Sequence, residues 1–206
     1  MPVTVTWLGH ASVMIGDGHS VVFIDPWKTG TGLPQADLIL VTHEHYDHYS
    51  ESDIRALSKD STRVVAPMST PLVTDVIAPG GRLDLGGAVV SAVPAYNIGK
   101  RFHPRESGGV GYVLELSGRR IYYAGDTDAI PEMREIDVDA ALIPVGGTYT
   151  MDALEAAQAA GTMKARVFIP THYGDIVGSR DDAKAFAGHA GSDTLILEPG
   201  GSTTLA

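Results

Sequence analysis

Apolar and polar residues alternate along the first third of the chain. The alternation runs through residues 3–8, and two short apolar stretches follow at residues 12–15 and 21–24. A period of two is typical of strands that bury one face. Residues 37–42 instead form a compact apolar run with polar residues at its ends, which predicts a strand buried on both faces.

The rest of the chain predicts more strands, and then an alternation of strands and helices. Predicted strands lie at residues 63–66, 82–85, 88–93, 110–116, 119–124, 140–143, 167–169 and 194–197. Predicted helices begin after the N-cap residue Ser50 and at Pro71, and two more cover residues 151–161 and 181–190. Strands spaced as hairpins outnumber strand–helix alternations. The pattern therefore favours a layered α/β sandwich, with two sheets face to face and helices outside.

Composition narrows the classes of function. The 206 residues suffice for one domain, spanning residues 1–206, with one sizeable core. Fifteen Lys and Arg against 25 Asp and Glu give a net charge of −10, which disfavours nucleic acid and anionic membranes as partners. The chain has no cysteine, so disulfides, thiolate metal sites and a catalytic thiol are excluded. No leader-like segment or long apolar run is visible, and we expect a cytoplasmic protein.

A dense cluster of metal-ligand residues follows the predicted buried strand. Residues 43–48 read His-Glu-His-Tyr-Asp-His, which is the pattern H-x-H-x-D-H. In an extended segment, residues two apart point the same way, so His43 and His45 can hold one ion. Asp47 and His48 fall past the strand end, where the chain can turn toward a second ion. Imidazole and carboxylate ligands suit zinc, manganese and iron alike.

Further donors stand shortly after other predicted strands. Asp25 follows the strand at 21–24, Asp126 comes two residues after the strand at 119–124, and His172 lies beyond the strand at 167–169. A layered fold can gather the ends of its strands into one site. We therefore expect these three residues to join the 43–48 cluster.

Together these residues resemble the metallo-β-lactamase-fold hydrolase superfamily, whose signature is H-x-H-x-D-H, then Gly-Asp, then a late His. The finer resemblance is to L-ascorbate-6-phosphate lactonases and related metal-dependent hydrolases, through the phrases at residues 7–12, 24–26, 123–127 and 144–147. The resemblance covers essentially the whole chain in the expected order. It implies an αββα sandwich of two mixed sheets, with a dinuclear metal site at the edge of the sheets.

The resemblance also implies a role for each donor. The first metal would be held by His43 and His45, the second by Asp47, His48 and His172, and both by the bridging carboxylate of Asp126. Asp25 would accept the second N–H of a ligating imidazole and so orient that ring.

The chain departs from the family pattern at one ligand. Members usually carry another His between H-x-H-x-D-H and Gly-Asp, but residues 93–97 read Val-Pro-Ala-Tyr-Asn here. The nearest imidazole is His103, in the polar loop of residues 97–109. Three outcomes stay open: His103 reaches back to the first metal, Asn97 or water replaces the ligand, or the first metal binds weakly.

The predicted reaction is hydrolysis by a hydroxide held between two divalent ions, zinc or manganese, with iron as a further option. Two such ions lower the pKa of a shared water from about 15.7 toward neutrality. Asp47 could accept a hydrogen bond from this nucleophile and later carry a proton. His10 lies in a phrase shared with the family and is predicted to contact the substrate or transition state; the alternative is a satisfied histidine at a strand end.

The loop of residues 97–109 is basic in an otherwise acidic chain. Its Lys100, Arg101 and Arg105, together with Tyr149, are predicted to attract and bind a small anionic substrate. The alternative is a solvated basic loop with no ligand.

These observations predict a metal-dependent hydrolase of a small anionic ester, lactone or phosphodiester. The missing middle histidine leaves open a non-catalytic metal-binding or ligand-sensing protein of the same fold. A nuclease is disfavoured by the length and the charge, and an oxygen-reducing diiron enzyme by His45, where such enzymes carry Glu. Neither nucleic acid nor a membrane is expected as a partner, and a homo-oligomer stays open.

Overall fold

Short strands pair into two mixed sheets in the computed structural model, which describes residues 1–191 and 193–205. The first sheet contains, from edge to edge, β13 (Ser202–Leu205), β1 (Val3–Gly9), β2 (Ser12–Gly16), β3 (Val21–Ile24), β4 (Ala36–Leu40), β5 (Ser58–Ala66) and β6 (Asp75–Val76). The second contains β12 (Lys164–Thr171), β11 (Asp137–Pro144), β10 (Arg119–Tyr123), β9 (Val110–Leu116), β8 (Ala88–Pro94) and β7 (Arg82–Asp84). Hairpin strands pair antiparallel, whereas β3 to β6 and β10 to β12 run parallel.

The central strands of the first sheet are buried on both faces. Val22 and Leu38 face the main core between the sheets, whereas Phe23 and Ile39 face a second apolar cluster. This alternation follows from the period of two along a strand. The second cluster is covered by α1 (Glu51–Leu57) through Ile54 and Leu57, which are both buried.

Two more helices cover the second sheet. Both α2 (Ala153–Ala160) and α3 (Arg180–Ala190) contact β12, and they pack against each other. Each begins with a capping box: Asp152 caps α2 and Ser179 caps α3, so that orphan backbone N–H groups of the first turn are satisfied. The layer order is helix, sheet, sheet, helix, and the predicted αββα sandwich is confirmed. No helix within the described residues combines the length and the apolar character needed to span a bilayer.

The predicted helix at Pro71 is wrong. Residues 70–74 form turns, and the following strand β6 pairs with β5. The hydroxyl of Thr74 accepts a hydrogen bond from the backbone N–H of Val64, so this segment joins the sheet edge rather than coiling. Short 3-10 turns at Arg105–Ser107 and Pro131–Glu135 were not predicted.

The predicted strand at residues 194–197 is also wrong. Only an isolated bridge between Phe168 and Thr194 forms there. The terminal strand lies further on, at β13, where Ser202 to Leu205 pair antiparallel with β1. The sequence Ser-Thr-Thr-Leu has no apolar alternation to reveal it, because an edge strand gains its place mainly from backbone pairing.

Candidate metal centre

The site forms at one edge of the sandwich, where strands of both sheets end. Asp25 follows β3, residues 42–48 follow β4, Asp126 follows β10 and His172 follows β12. Among the described non-glycine residues, seven have a positive φ, and four of these are His10, Asp25, His103 and His172. Such conformations are strained for residues with side chains and persist where the surroundings hold them, typically at functional sites.

Gly125 lets Asp126 approach the first sheet. Its φ is +67°, and a Cβ added there would lie 2.8 Å from the carbonyl oxygen of Val110 and 3.3 Å from the side chain of Thr42. Only glycine fits this close contact without displacement of the backbone. The turn after β10 therefore carries the Asp126 carboxylate to the histidines that follow β4.

Three histidines form the first donor group. The Nδ1 atom of His45 lies 3.0 Å from His43 Nε2 and 2.9 Å from His103 Nε2. His103 thus reaches back from the 97–109 loop to the position left open by the sequence. The side-chain NH2 of Asn97 donates to the carbonyl oxygens of Phe102 and Tyr149 and so shapes the loop.

The second donor group lies on the other side of Asp126. Asp126 Oδ1 is 3.1 Å from His172 Nε2 and 3.3 Å from His48 Nε2, and Asp47 Oδ2 is 3.5 Å from His48 Nε2. Asp126 Oδ2 lies 3.4 Å from His103 Nε2. One carboxylate therefore presents an oxygen to each donor group.

Buried donors at this site lack hydrogen-bond partners. Among the described residues, His48 Nε2, Asp126 Oδ1 and His172 Nε2 are buried and make no hydrogen bond, although they lie close together. A buried polar atom without a partner is costly unless something else binds it. Imidazole nitrogens and carboxylate oxygens that converge in this way fit a divalent cation.

Asp25 orients His48 from behind. Its Oδ2 lies 2.7 Å from His48 Nδ1, and the backbone N–H and the hydroxyl of Thr42 both donate to the same carboxylate. The carboxylate accepts the Nδ1–H of His48, which leaves the Nε2 lone pair directed at the donor group. Because the Thr42 hydroxyl donates to Asp25, its oxygen can accept the Nδ1–H of His43, 2.9 Å away. The role of Thr42 was not predicted from the sequence. Its position directly before the H-x-H-x-D-H motif was the only indication of it.

The electrostatics of the site favour the ligating forms of His43, His103 and Asp126. Burial lowers the pKa of His43 well below its usual value and also lowers the pKa of His103, so both rings are neutral. Burial opposes ionisation of Asp126, but His172 and His48 outweigh it and hold the pKa of that carboxyl well below its usual range. Burial likewise opposes protonation of His48, whereas Asp126 and Asp25 raise its pKa well above the usual value.

His10 packs against the second donor group. Its Nε2 lies 3.1 Å from Asp47 Oδ2, and its ring is 4.2 Å from the ring of His172. The backbone carbonyl of His10 accepts hydrogen bonds from Trp7 Nε1 and from the backbone N–H of His172. His10 therefore holds Asp47 and the turn that carries His172.

An open cleft leads to the donors. The residues that line it include His45, Asp47, Asp126, Tyr149 and His172, and the cavity volume is about 200 Å³. A space of this size accommodates one group of a small substrate rather than a whole drug-sized ligand. Arg101 lines the neighbouring recess beside His43 and His103.

Two of the predicted substrate-binding residues are engaged elsewhere. In the described residues, neither Lys100 nor Arg105 lines the cleft or the recess. Lys100 pairs with Asp128, and Arg105 pairs with Glu132. Both charges are matched by acids that anchor the loop, so this geometry does not support substrate binding by these two cations, which stays a prediction.

Comparison with known proteins agrees with this geometry. Residues 4–172 match the family described as the beta-lactamase superfamily domain. The chain belongs to the metal-dependent hydrolases of the metallo-β-lactamase superfamily. A UPF0173 metal-dependent hydrolase of Thermus thermophilus is 36% identical, over 96% of this chain and 97% of the relative. Another, of Nitratidesulfovibrio vulgaris, is 33% identical over 100% of this chain and 96% of the relative.

Solved structures show the same fold. A structure of a proposed metal-dependent hydrolase from Parabacteroides distasonis superposes with a TM-score of 0.82 and 32% identity, over 94% of this chain and 92% of the other. A metallo hydrolase from Ignicoccus hospitalis has a TM-score of 0.78 at 21% identity, over 100% of this chain and 99% of the other. The fold and the sequence matches agree with membership of this superfamily. The finer resemblance to ascorbate-6-phosphate lactonases stays a prediction.

Proposed function

We propose that this superfamily member hydrolyses a small anionic ester, lactone or phosphodiester at a site for two divalent ions, zinc or manganese, with iron as a further option. The placement of Asp126 carries the proposal. Its two oxygens face two separate groups of nitrogen donors, as a bridging carboxylate would. The first ion would be held by His43, His45 and His103, and the second by Asp47, His48 and His172.

The bound ions would supply a Lewis acid and a water that is acidic near neutral pH. The protein supplies position and proton transfer. Asp47 borders the cleft and is held by His10, so its carboxylate can accept a proton from the attacking water and return it to the leaving group. Arg101, in the adjoining recess, would attract the anionic part of the substrate.

The alternative of a non-catalytic sensor depended on the missing middle histidine. His103 lies beside His43 and His45, where it can serve as the third imidazole of the first donor group. This proximity supports a catalytic protein over a sensor. The net charge of −10 supports a small molecule rather than nucleic acid as the partner. A cytoplasmic location remains part of the proposal.

The double substitution of His43→Ala with Asp126→Ala tests the proposal. Elemental analysis of protein purified without chelator should give about two equivalents of metal for the wild type and much less for the double variant. Hydrolysis of lactones and phosphodiesters should disappear, while circular dichroism stays unchanged. His19→Ala, on an exposed histidine outside the donor groups, is the matched control. Wild-type turnover in the double variant would contradict the proposal.

A further inference from the structure

Part of the lining of the cleft is apolar and aromatic. Tyr46, Phe102, Tyr149 and Ile176 line the cleft together with the donors. Tyr46 is 65% exposed and Phe102 43% exposed, which places both among the large apolar side chains that the fold leaves in water. An exposed apolar patch that borders a polar base is typical of a ligand-binding surface.

Contacts between rings orient the aromatic side chains that line the cleft. The rings of Phe102 and Tyr149 meet edge to face at 4.9 Å, and Tyr46 meets Trp27 edge to face at 5.9 Å. Trp27 in turn lies 5.4 Å from the ring of His10, so the contacts continue down to the donor groups. Rings fixed in this way bind a ligand at a small cost in conformational entropy.

The backbone of Tyr46 and that of Phe102 are each joined directly to metal donors. Tyr46 stands between His45 and Asp47, and Phe102 directly precedes His103. A shift of either ring by backbone movement would displace a metal donor. The exposure of Tyr46 and Phe102 is thus built into the site.

The charged and apolar sides of the site are separate. Phe102 lines both the cleft and the adjoining recess, and Arg101 lies in the recess alone. A substrate can therefore direct its anionic group toward Arg101 and an apolar group toward Tyr46 and Tyr149. The flat faces and edges of these rings suit another aromatic ring.

We propose that Tyr46, Phe102, Tyr149 and Ile176 form a subsite for an aryl group, so that the substrate class is an anionic ester, lactone or phosphodiester with an aromatic ring near the cleaved bond. This inference rests on the proposed function, which supplies the reaction at the base of the cleft.

Binding of phenylphosphonate and methylphosphonate tests the subsite without turnover. The two probes share one metal-binding group and differ in the aromatic ring. Isothermal titration calorimetry on the metal-loaded wild type should show phenylphosphonate bound about tenfold more tightly. Tyr46→Leu and Phe102→Leu should each reduce that ratio to about threefold or less, with methylphosphonate affinity unchanged.

Ile98→Ala is the matched control, because Ile98 is exposed on the same loop but does not line the cleft. Metal content is measured for every variant, and a variant that has lost metal is replaced by Tyr149→Leu. Equal affinities of the two probes in the wild type would overturn the aryl subsite and leave the proposed function standing. A metal-loaded protein that binds neither probe and hydrolyses no ester, lactone or phosphodiester would overturn both.

Discussion

Asp25 controls the site without facing the cleft. It is fully buried, and it accepts hydrogen bonds from the backbone and hydroxyl of Thr42 while its Oδ2 contacts His48 Nδ1. These contacts fix which nitrogen of His48 carries the proton. A single buried carboxylate therefore sets the ligating form of a neighbouring imidazole.

Asp25→Asn should weaken metal binding. The amide replaces one acceptor with a donor, so either His48 Nδ1–H or Thr42 loses its partner and the ring can turn. We expect about a 10- to 100-fold loss of metal affinity, measured by competition with a coloured chelator. Asp60→Asn is the control, because Asp60 is an exposed residue of β5 outside the donor groups. Unchanged affinity together with an unchanged circular dichroism spectrum would contradict this role.

At the scale of elements, the 97–109 loop completes the first donor group. Three residues anchor it through four contacts: Lys100 to Asp128 and to the carbonyl of Thr150, Arg105 to Glu132, and Asn97 to the carbonyl of Tyr149. His103 lies between these anchors and has a positive φ. Its position depends on charge pairs with segments that are distant in sequence.

Lys100→Met should therefore reduce metal at the first group more than at the second. We expect the total metal retained after dialysis to fall from about two equivalents toward one, because His103 loses its anchor. Lys164→Met, on the exposed end of β12, should have no effect. Full metal content with a raised KM would show instead that Lys100 acts on the substrate.

The same loop shows which features of the site can be predicted from the sequence and which cannot. The H-x-H-x-D-H segment and the donors after apolar strands were predictable, because strand ends follow from local pattern. The pairing of Lys100 with Asp128 was not, since nothing local distinguishes an anchored lysine from one that faces a ligand. The same limit explains β13, whose position depends on the distant strand β1.

At the scale of the whole molecule, the donor groups join the two sheets. The first sheet supplies residues 43–48, and the second supplies His103, Asp126 and His172. Protein hydrogen bonds tie the same edge: Val110 N–H to Thr42 carbonyl, Tyr112 hydroxyl to Val41 carbonyl and Tyr123 hydroxyl to Ala11 carbonyl. A bound metal would add a cross-link between two sheets that these hydrogen bonds already join.

Removal of metal should lower the thermal stability of the chain without unfolding it at room temperature. A metal present at about 1,000 times its dissociation constant stabilises the folded state by about 4 kcal/mol, because the unfolded chain has no assembled site. Scanning calorimetry before and after chelation should show a lower Tm for the stripped protein, restored by added metal. An identical Tm in all three samples would mean that the donors do not hold metal.

The interleaving of Tyr46 and Phe102 with the donor residues has an evolutionary consequence. Surface loops usually accept insertions and deletions, which is how many enzymes acquire new specificity. Here a change of length near either ring would shift His45, Asp47 or His103 as well. We therefore expect descendants of this chain to diversify by exchanging side chains at fixed backbone length, and laboratory libraries to succeed with substitutions at positions 46 and 102 where loop grafts fail.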